Sequence, residues 1–238
     1  TSGEFVPEVA LEHPEVLENL HKEFQHAGSN IVQAFTYNGH REKMRVINKE
    51  HLLEPLNRAA LRIARKCADN PPKGLGVSLM AGNISNSNIW EENNPRAQAE
   101  VKSMFAEMVQ WAKEERADFI IGETFYYAEE AFAALEEIKK SGLPSVITIS
   151  PMGENKMRDG YTILETCKKL EELGADVVGQ IIKSVADTTD KLMDLQKKVK
   201  EVDEDKKQTT NNVTNNALFV GSTSELSKML KQGILNNK

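Results

Sequence analysis

Cysteine is almost absent from this chain: only Cys67 and Cys167 occur in 238 residues. They stand about a hundred residues apart within helical patterns, which fits neither a disulfide framework nor a CxxC metal clip and suits two buried free thiols. Histidine is sparse too. His13, His21, His26, His40 and His51 all fall in the first 51 residues, and none forms an HxxxH pair with a glutamate between. His21 and His26 share a helix but sit five apart and point in different directions, so surface histidines are expected. No apolar run approaches the roughly 20 residues of a membrane span. No GxGxxG follows a strand, and no GxxxxGK[ST] or GxSxG occurs, so nucleotide cradles and nucleophile elbows find no support. Lys and Arg number 30 against 36 Asp and Glu, a net charge of −6 with both signs interleaved. Nucleic-acid binding draws on clustered basic residues, so neither nucleic acid nor membrane is an expected partner.

Apolar residues make up 39% of the chain and charged residues 28%, enough for a core. A single domain is the default at this length. The opening TSGEFVPEV has neither an initiator Met nor a signal-peptide pattern, which leaves open a natural start further upstream. A cytoplasmic protein is expected, with secretion as the alternative because Asn83 and Asn212 lie in glycosylation sequons.

One grammar recurs along the chain. In HPEVLENLHKEF, Pro14 suits a first helical turn, Val16, Leu17, Leu20 and Phe24 share a face, and Gly28 ends the helix before the strand SNIVQAFTY. HLLEPLNRAALRIARKCADN precedes GLGVSLMAG, and AEVKSMFAEMVQWAKEE precedes DFIIGETF. AEEAFAALEEIKKSG then precedes PSVITIS, and TILETCKKLEELG precedes ADVVGQ. Val101, Phe105, Met108 and Ala112 recur at helical spacing and should pack on a sheet. Continuous apolar strands alternating with helices imply a parallel sheet buried on both faces, either doubly wound or closed into a barrel. Polar residues at the strand ends favour the barrel, whose active sites gather there: Thr36 and Asn38, Asn83 and Ser85, Glu123 and Thr124, and Ser150.

The pattern changes after residue 185. One more amphipathic helix carries Leu192, Leu195 and Val199, and its KKVKEVDEDKK run reads as a solvated face. Residues 207–216 read as a polar Asn/Thr loop. A short strand in ALFVG and a helix capped by Ser224 follow. The expectation is one barrel-like domain over 1–238, an open or incomplete (β/α)8 unit with about six strands, in which 186–238 diverges from the regular repeats of 1–185.

GSNIVQAFTYNGHREKM, preceded by EHPEVLENLHKEFQHA and followed by ADFIIGETFYYAEEAFAALE, SGLPSVITISPMGE and LEELGADVVG, closely resembles the homocysteine S-methyltransferase family, above all its betaine-homocysteine branch. The resemblance spans residues 5–179 and implies a (β/α)8 barrel. It also implies a zinc ion on three cysteines, which deprotonates a homocysteine thiol whose free pKa is near ~8.5. By this resemblance Glu123 matches the glutamate that holds the homocysteine amino group, although a strand-end carboxylate also serves to cap a turn. Gln33, Phe35 and Thr36 match the segment lining the substrate cup, with barrel core an equal reading for Phe35. Gly153 and Gly160 match glycines of a loop.

The departures are specific. Phe5 keeps one aromatic position of the betaine cage, but Asn38 and Thr124 stand where that branch has tyrosines, which weakens cation-π binding of a methylated ammonium. Ile182 occupies the place of the first zinc cysteine and cannot coordinate metal. No Cys-Cys pair exists; VGSTS is the nearest match, and its Ser222 and Thr223 are not zinc ligands. The family's Gly-Asp-Gly-Gly first-strand motif is missing as well. The expected function is therefore a methyltransferase-like protein without zinc or methyl transfer, serving as a binding or structural protein. A small molecule in the barrel mouth and self-association through uncovered sheet edges are the expected interactions. The alternative is an active homocysteine methyltransferase, betaine-dependent or using another donor, that has been truncated or processed.

Overall fold

The computed structural model describes residues 8–151 and 155–180, all within one compact unit, Thr1–Lys183. Phe5, Gly153, Ile182, Asn212, the polar loop at 207–216 and every element expected after residue 185 lie outside the described residues.

Five strands form one parallel sheet: β1 (Ile31–Gln33), β2 (Leu79–Ser85), β3 (Phe119–Phe125), β4 (Ser145–Ile149) and β5 (Val177–Gln180). Their order is β1-β2-β3-β4-β5, each hydrogen-bonded to its neighbours in sequence. A doubly wound sheet reverses direction at a switch point, whereas this one advances without reversal, as barrel strands do. The described strands do not close the barrel, and β1 and β5 are their two edges.

Helices α1 (Val9–Glu12) and α2 (Pro14–His26) precede β1. The crossovers carry α3 (Arg41–Val46) and α4 (Leu53–Asp69), then α5 (Pro95–Glu114), α6 (Ala128–Ser141) and α7 (Ile163–Glu172). Local chemistry sets their ends. Asn94 accepts from the backbone N–H groups of Arg96 and Ala97 at 3.1 and 3.2 Å, with Pro95 in the first turn. Thr162 and Glu165 form a reciprocal capping box. Gly142, at φ 80°, ends α6 in the left-handed conformation.

The expected face of α5 is the buried one: Val101, Phe105, Met108 and Ala112 all lie in the core, and Phe105 meets Phe125 of β3 edge to face at 5.9 Å. Contact is so close that a Cβ on Gly82 would stand 2.7 Å from both the Ala112 Cβ and the Ile120 Cδ1. Gly82 is thereby fixed as glycine, and its neighbours Ala81 and Asn83 face the other side of the sheet.

Four expectations are corrected. On α2 only Leu17 of the expected face is buried: Val16, Leu20 and Phe24 are 55, 44 and 59% exposed, and the residues buried with Leu17 are His21 and Gln25. Leu17 packs with Ala10 and Ala60, and the Gln25 amide donates to the Cys67 carbonyl and the Ser78 hydroxyl, so a polar side chain is buried with partners. His21 and His40 are buried rather than at the surface, and burial lowers both pKa values, that of His40 to about 4. Of the two free thiols Cys67 is buried, but Cys167 is only partly so. Finally, burial on both faces is incomplete: Ile31, Leu79 and Val177 on the face away from the helices stay about half exposed, although Ala81, Asn83 and Ser85 of that face are buried.

Candidate functional site

Three adjacent strand ends converge on one carboxylate. Gln33 of β1 donates its Nε2 to Glu123 Oε2 at 2.9 Å, and Asn83 of β2 donates its Nδ2 to the same oxygen at 2.8 Å. The stagger of parallel strands makes this possible: Gln33 pairs with Ala81, Asn83 with Ile121 and Ser85 with Glu123, so the three side chains share a face at successive levels. Only the NH2 end of an amide can face a carboxylate, which fixes both orientations and turns the two carbonyl oxygens away. No described donor reaches Glu123 Oε1. Two neutral donors orient the group without cancelling its charge, an arrangement that leaves the other oxygen able to accept a further hydrogen bond.

The surroundings hold these strand ends in place. Thr36 is buried, and its hydroxyl donates to the Asn83 carbonyl at 2.7 Å, tying the loop after β1 to β2. That hydrogen bond braces the strand end that carries Asn83. Phe35 is 43% exposed, which removes the barrel-core reading for it. Asn38 is half-buried in the same loop. Thr124 adopts a left-handed φ of 64°, where the register between β3 and β4 shifts. Such a conformation costs a β-branched residue roughly 1–3 kcal/mol and is held here from both sides. The Thr124 N–H donates to Thr148 Oγ1 at 3.0 Å, and its carbonyl accepts from Asn86 Nδ2 at 3.1 Å.

Asn83 is the residue that site matching missed. It is 2% exposed, so this sequon is not open to glycosylation, and its Oδ1 is buried without a partner. The available signal was its place among the polar strand ends.

The family model for homocysteine S-methyltransferases matches residues 2–229. The chain belongs to the homocysteine S-methyltransferase family. It is 33% identical over 196 residues to the S-methylmethionine–homocysteine S-methyltransferase of Pongo abelii, covering 82% of this chain and 50% of that protein. It is 34% identical over 184 residues to betaine–homocysteine S-methyltransferase 1 of Sus scrofa, covering 75% and 63%, and of Mus musculus, covering 75% and 43%. The chain thus spans about half the length of the curated relatives it matches. Among solved structures it resembles the Escherichia coli homocysteine methyltransferase MmuM in its metallated form, with a TM-score of 0.62 and 16% identity over 73% of this chain and 65% of that one, a likeness of fold.

The three-thiolate zinc site implied by the family does not fit the donors of this chain. Its two cysteines lie on α4 and α7 rather than at strand ends, and burial raises both thiol pKa values, the opposite of what a metal-binding thiolate needs. Among the described residues no group of three or more His, Cys, Asp or Glu side chains could hold a metal ion.

Proposed function

We propose that this member of the family binds a homocysteine-like amino acid at the strand-end cup and has exchanged zinc-dependent methyl transfer for that binding role. The observation that carries the reading is Glu123, oriented by Gln33 and Asn83 through one oxygen while no described donor reaches the other. An amino-acid ammonium would donate to Oε1 and neutralise the charge that two neutral amides leave in place. Against methyl transfer stands the isoleucine at position 182, an internal position where the resemblance places a zinc cysteine and where an aliphatic side chain cannot hold the metal that would activate a sulfur nucleophile.

Calorimetry with L-homocysteine under reducing conditions tests the binding, and elemental mass spectrometry after incubation with zinc and homocysteine tests the chemistry. Saturable binding, weakened at least tenfold by Glu123→Gln, with zinc far below one per chain and no methylated product from betaine or S-methylmethionine, is the expected outcome. Near-stoichiometric zinc together with product would overturn the lost-chemistry half and establish the active-enzyme reading. Absence of binding would overturn the other half.

The reading extends to self-association. Both edges of the described sheet carry exposed apolar side chains, Ile31 on β1 and Val177 on β5, which pairing of copies would cover. A monomer at every concentration in sedimentation equilibrium would overturn it.

A further inference from the structure

Two features of the outer helical layer complement each other. On α2, Val16, Leu20 and Phe24 form an apolar stripe at i, i+4 and i+8 that faces water along its length. The row one residue earlier, Glu15, Asn19 and Glu23, runs beside the stripe and is exposed as well. Lys22, the lysine of this helix, is engaged by Glu18 at 2.6 Å. The border of the stripe is therefore acidic.

Across the layer, α6 is sunk between its neighbours. A surface helix usually buries one stripe, but α6 buries residues on every side, Phe132 and Ala133 among them. Both line a cavity of about 660 Å3 whose walls include Lys102 of α5, Lys139 and Lys140 of α6, and Lys169 of α7. Two acids, Glu129 and Glu136, line it too and are already engaged. Glu136 pairs with Lys102 at 2.7 Å and Lys140 at 3.0 Å, and Glu129 accepts from the Tyr161 hydroxyl. The pairs of Lys139 with Asp176 and of Lys169 with Glu172 are longer, 3.6 and 3.7 Å. Such exposed pairs contribute little and exchange readily for another acid.

We infer that α2 of one copy of this chain docks along the α6 groove of another, its apolar stripe on Phe132 and Ala133 and its acidic row toward the lysine walls. The dimensions agree: Val16 to Phe24 spans about 12 Å of helix and Glu129 to Lys140 about 16 Å, at roughly 1.5 Å per residue. Charge selects this pairing over its alternatives. Stripe against stripe would bring two acidic rows together, and groove against groove two sets of lysines, whereas stripe against groove joins opposite signs over apolar floors. The contact is head to tail, so it generates a ring or an open chain of copies, and it uses neither edge of the sheet.

Sedimentation velocity of the whole chain over a concentration series tests it, with two variants at exposed side chains: Phe24→Glu on the stripe, and Lys139→Glu combined with Lys169→Glu on the groove. Circular dichroism checks that each is folded. Association should weaken at least tenfold in either variant alone, and higher salt should weaken it in the unaltered chain. Mixing the two variants should restore a one-to-one heterodimer, because the first keeps an intact groove and the second an intact stripe. Association unchanged in both variants would assign it to the sheet edges or another surface. Loss in the Phe24 variant alone would mean that the stripe meets something other than the groove, and failure of the mixture to pair would mean a self-complementary contact. A monomer at every concentration would leave the stripe to a different partner. Each of these four results overturns the inference.

Discussion

The two faces of the sheet meet different surroundings. Against α4, α5 and α6 the sheet presents Met80, Gly82, Ile84, Ile120, Ile147 and Ile149, and the five large side chains are at most 1% exposed. The opposite face presents Gln33, Asn83 and Glu123 at its strand ends, and leaves Ile31, Leu79 and Val177 at 46, 43 and 53% exposure. Removal of apolar area from water is concentrated on the first face, while the groups able to recognise a charged ligand stand on the second. The covered face fixes the strand stagger, and the stagger lets three strands deliver amides to one carboxylate. In this chain the core builds the site without contributing a polar atom to it.

The largest expected difference between the faces comes from truncation. Ile120→Ala on the covered face should cost about 2–5 kcal/mol in urea unfolding, because neighbouring side chains cannot refill the space. Leu79→Ala on the open face should cost less than about 1 kcal/mol, since much of that side chain already meets water. Equal losses would break the comparison.

The next effect lies in the loop that leaves the site-bearing end of β1. Burial depresses the His40 pKa from 6.5 to about 4, so folding favours the neutral ring. That contribution is fully present above pH 6.5 and is lost as pH falls through about 4, a change of up to about 3 kcal/mol. His21, also depressed by burial, acts in the same direction. Urea unfolding across this pH range should show the loss, and His40→Asn should remove most of the pH dependence whatever its absolute stability. An unchanged slope in that variant would place the titration elsewhere.

Glycines give a smaller and sharper contrast. A Cβ on Gly82 would stand 2.7 Å from Ala112 and Ile120, so Gly82→Ala should cost about 1–3 kcal/mol by overpacking. On Gly179, opposite Thr148 in the β4–β5 pairing, the nearest atom would be Thr148 Cγ2 at 3.5 Å, an ordinary contact. Gly179→Ala should change stability by no more than about 0.5 kcal/mol, and thermal melts of the two variants decide the matter. Smallest of all in stability should be Glu123→Gln, within about 0.5 kcal/mol, while the same change abolishes most ligand affinity. A large stability loss in that variant would show Glu123 to be a structural group rather than a binding one.

Much of the architecture was legible because its signals are local. The α5 face, the strand-and-helix alternation and the polar strand ends depend on spacing along the chain, and family-matched motifs pointed to Glu123 and Gln33. The α2 face was misread because two stripes one residue apart are equally periodic. Whether Leu17 is buried with Val16, Leu20 and Phe24 or with His21 and Gln25 rests on whether α4 offers partners to a glutamine, and it does, through the Cys67 carbonyl. Burial of His40 and the exposure of Phe35 likewise depend on how the loop after β1 folds back.

By itself the sequence determined a parallel α/β chain, its family and the glutamate at the end of β3, because those properties reside in residue type and in order along the chain. Only the tertiary structure decided that Asn83 joins Gln33 on one oxygen of Glu123 and that the buried Thr36 hydroxyl ties the loop after β1 to β2. These are meetings of side chains from separate strands and loops, fixed by the register of the sheet and by the packing that holds it.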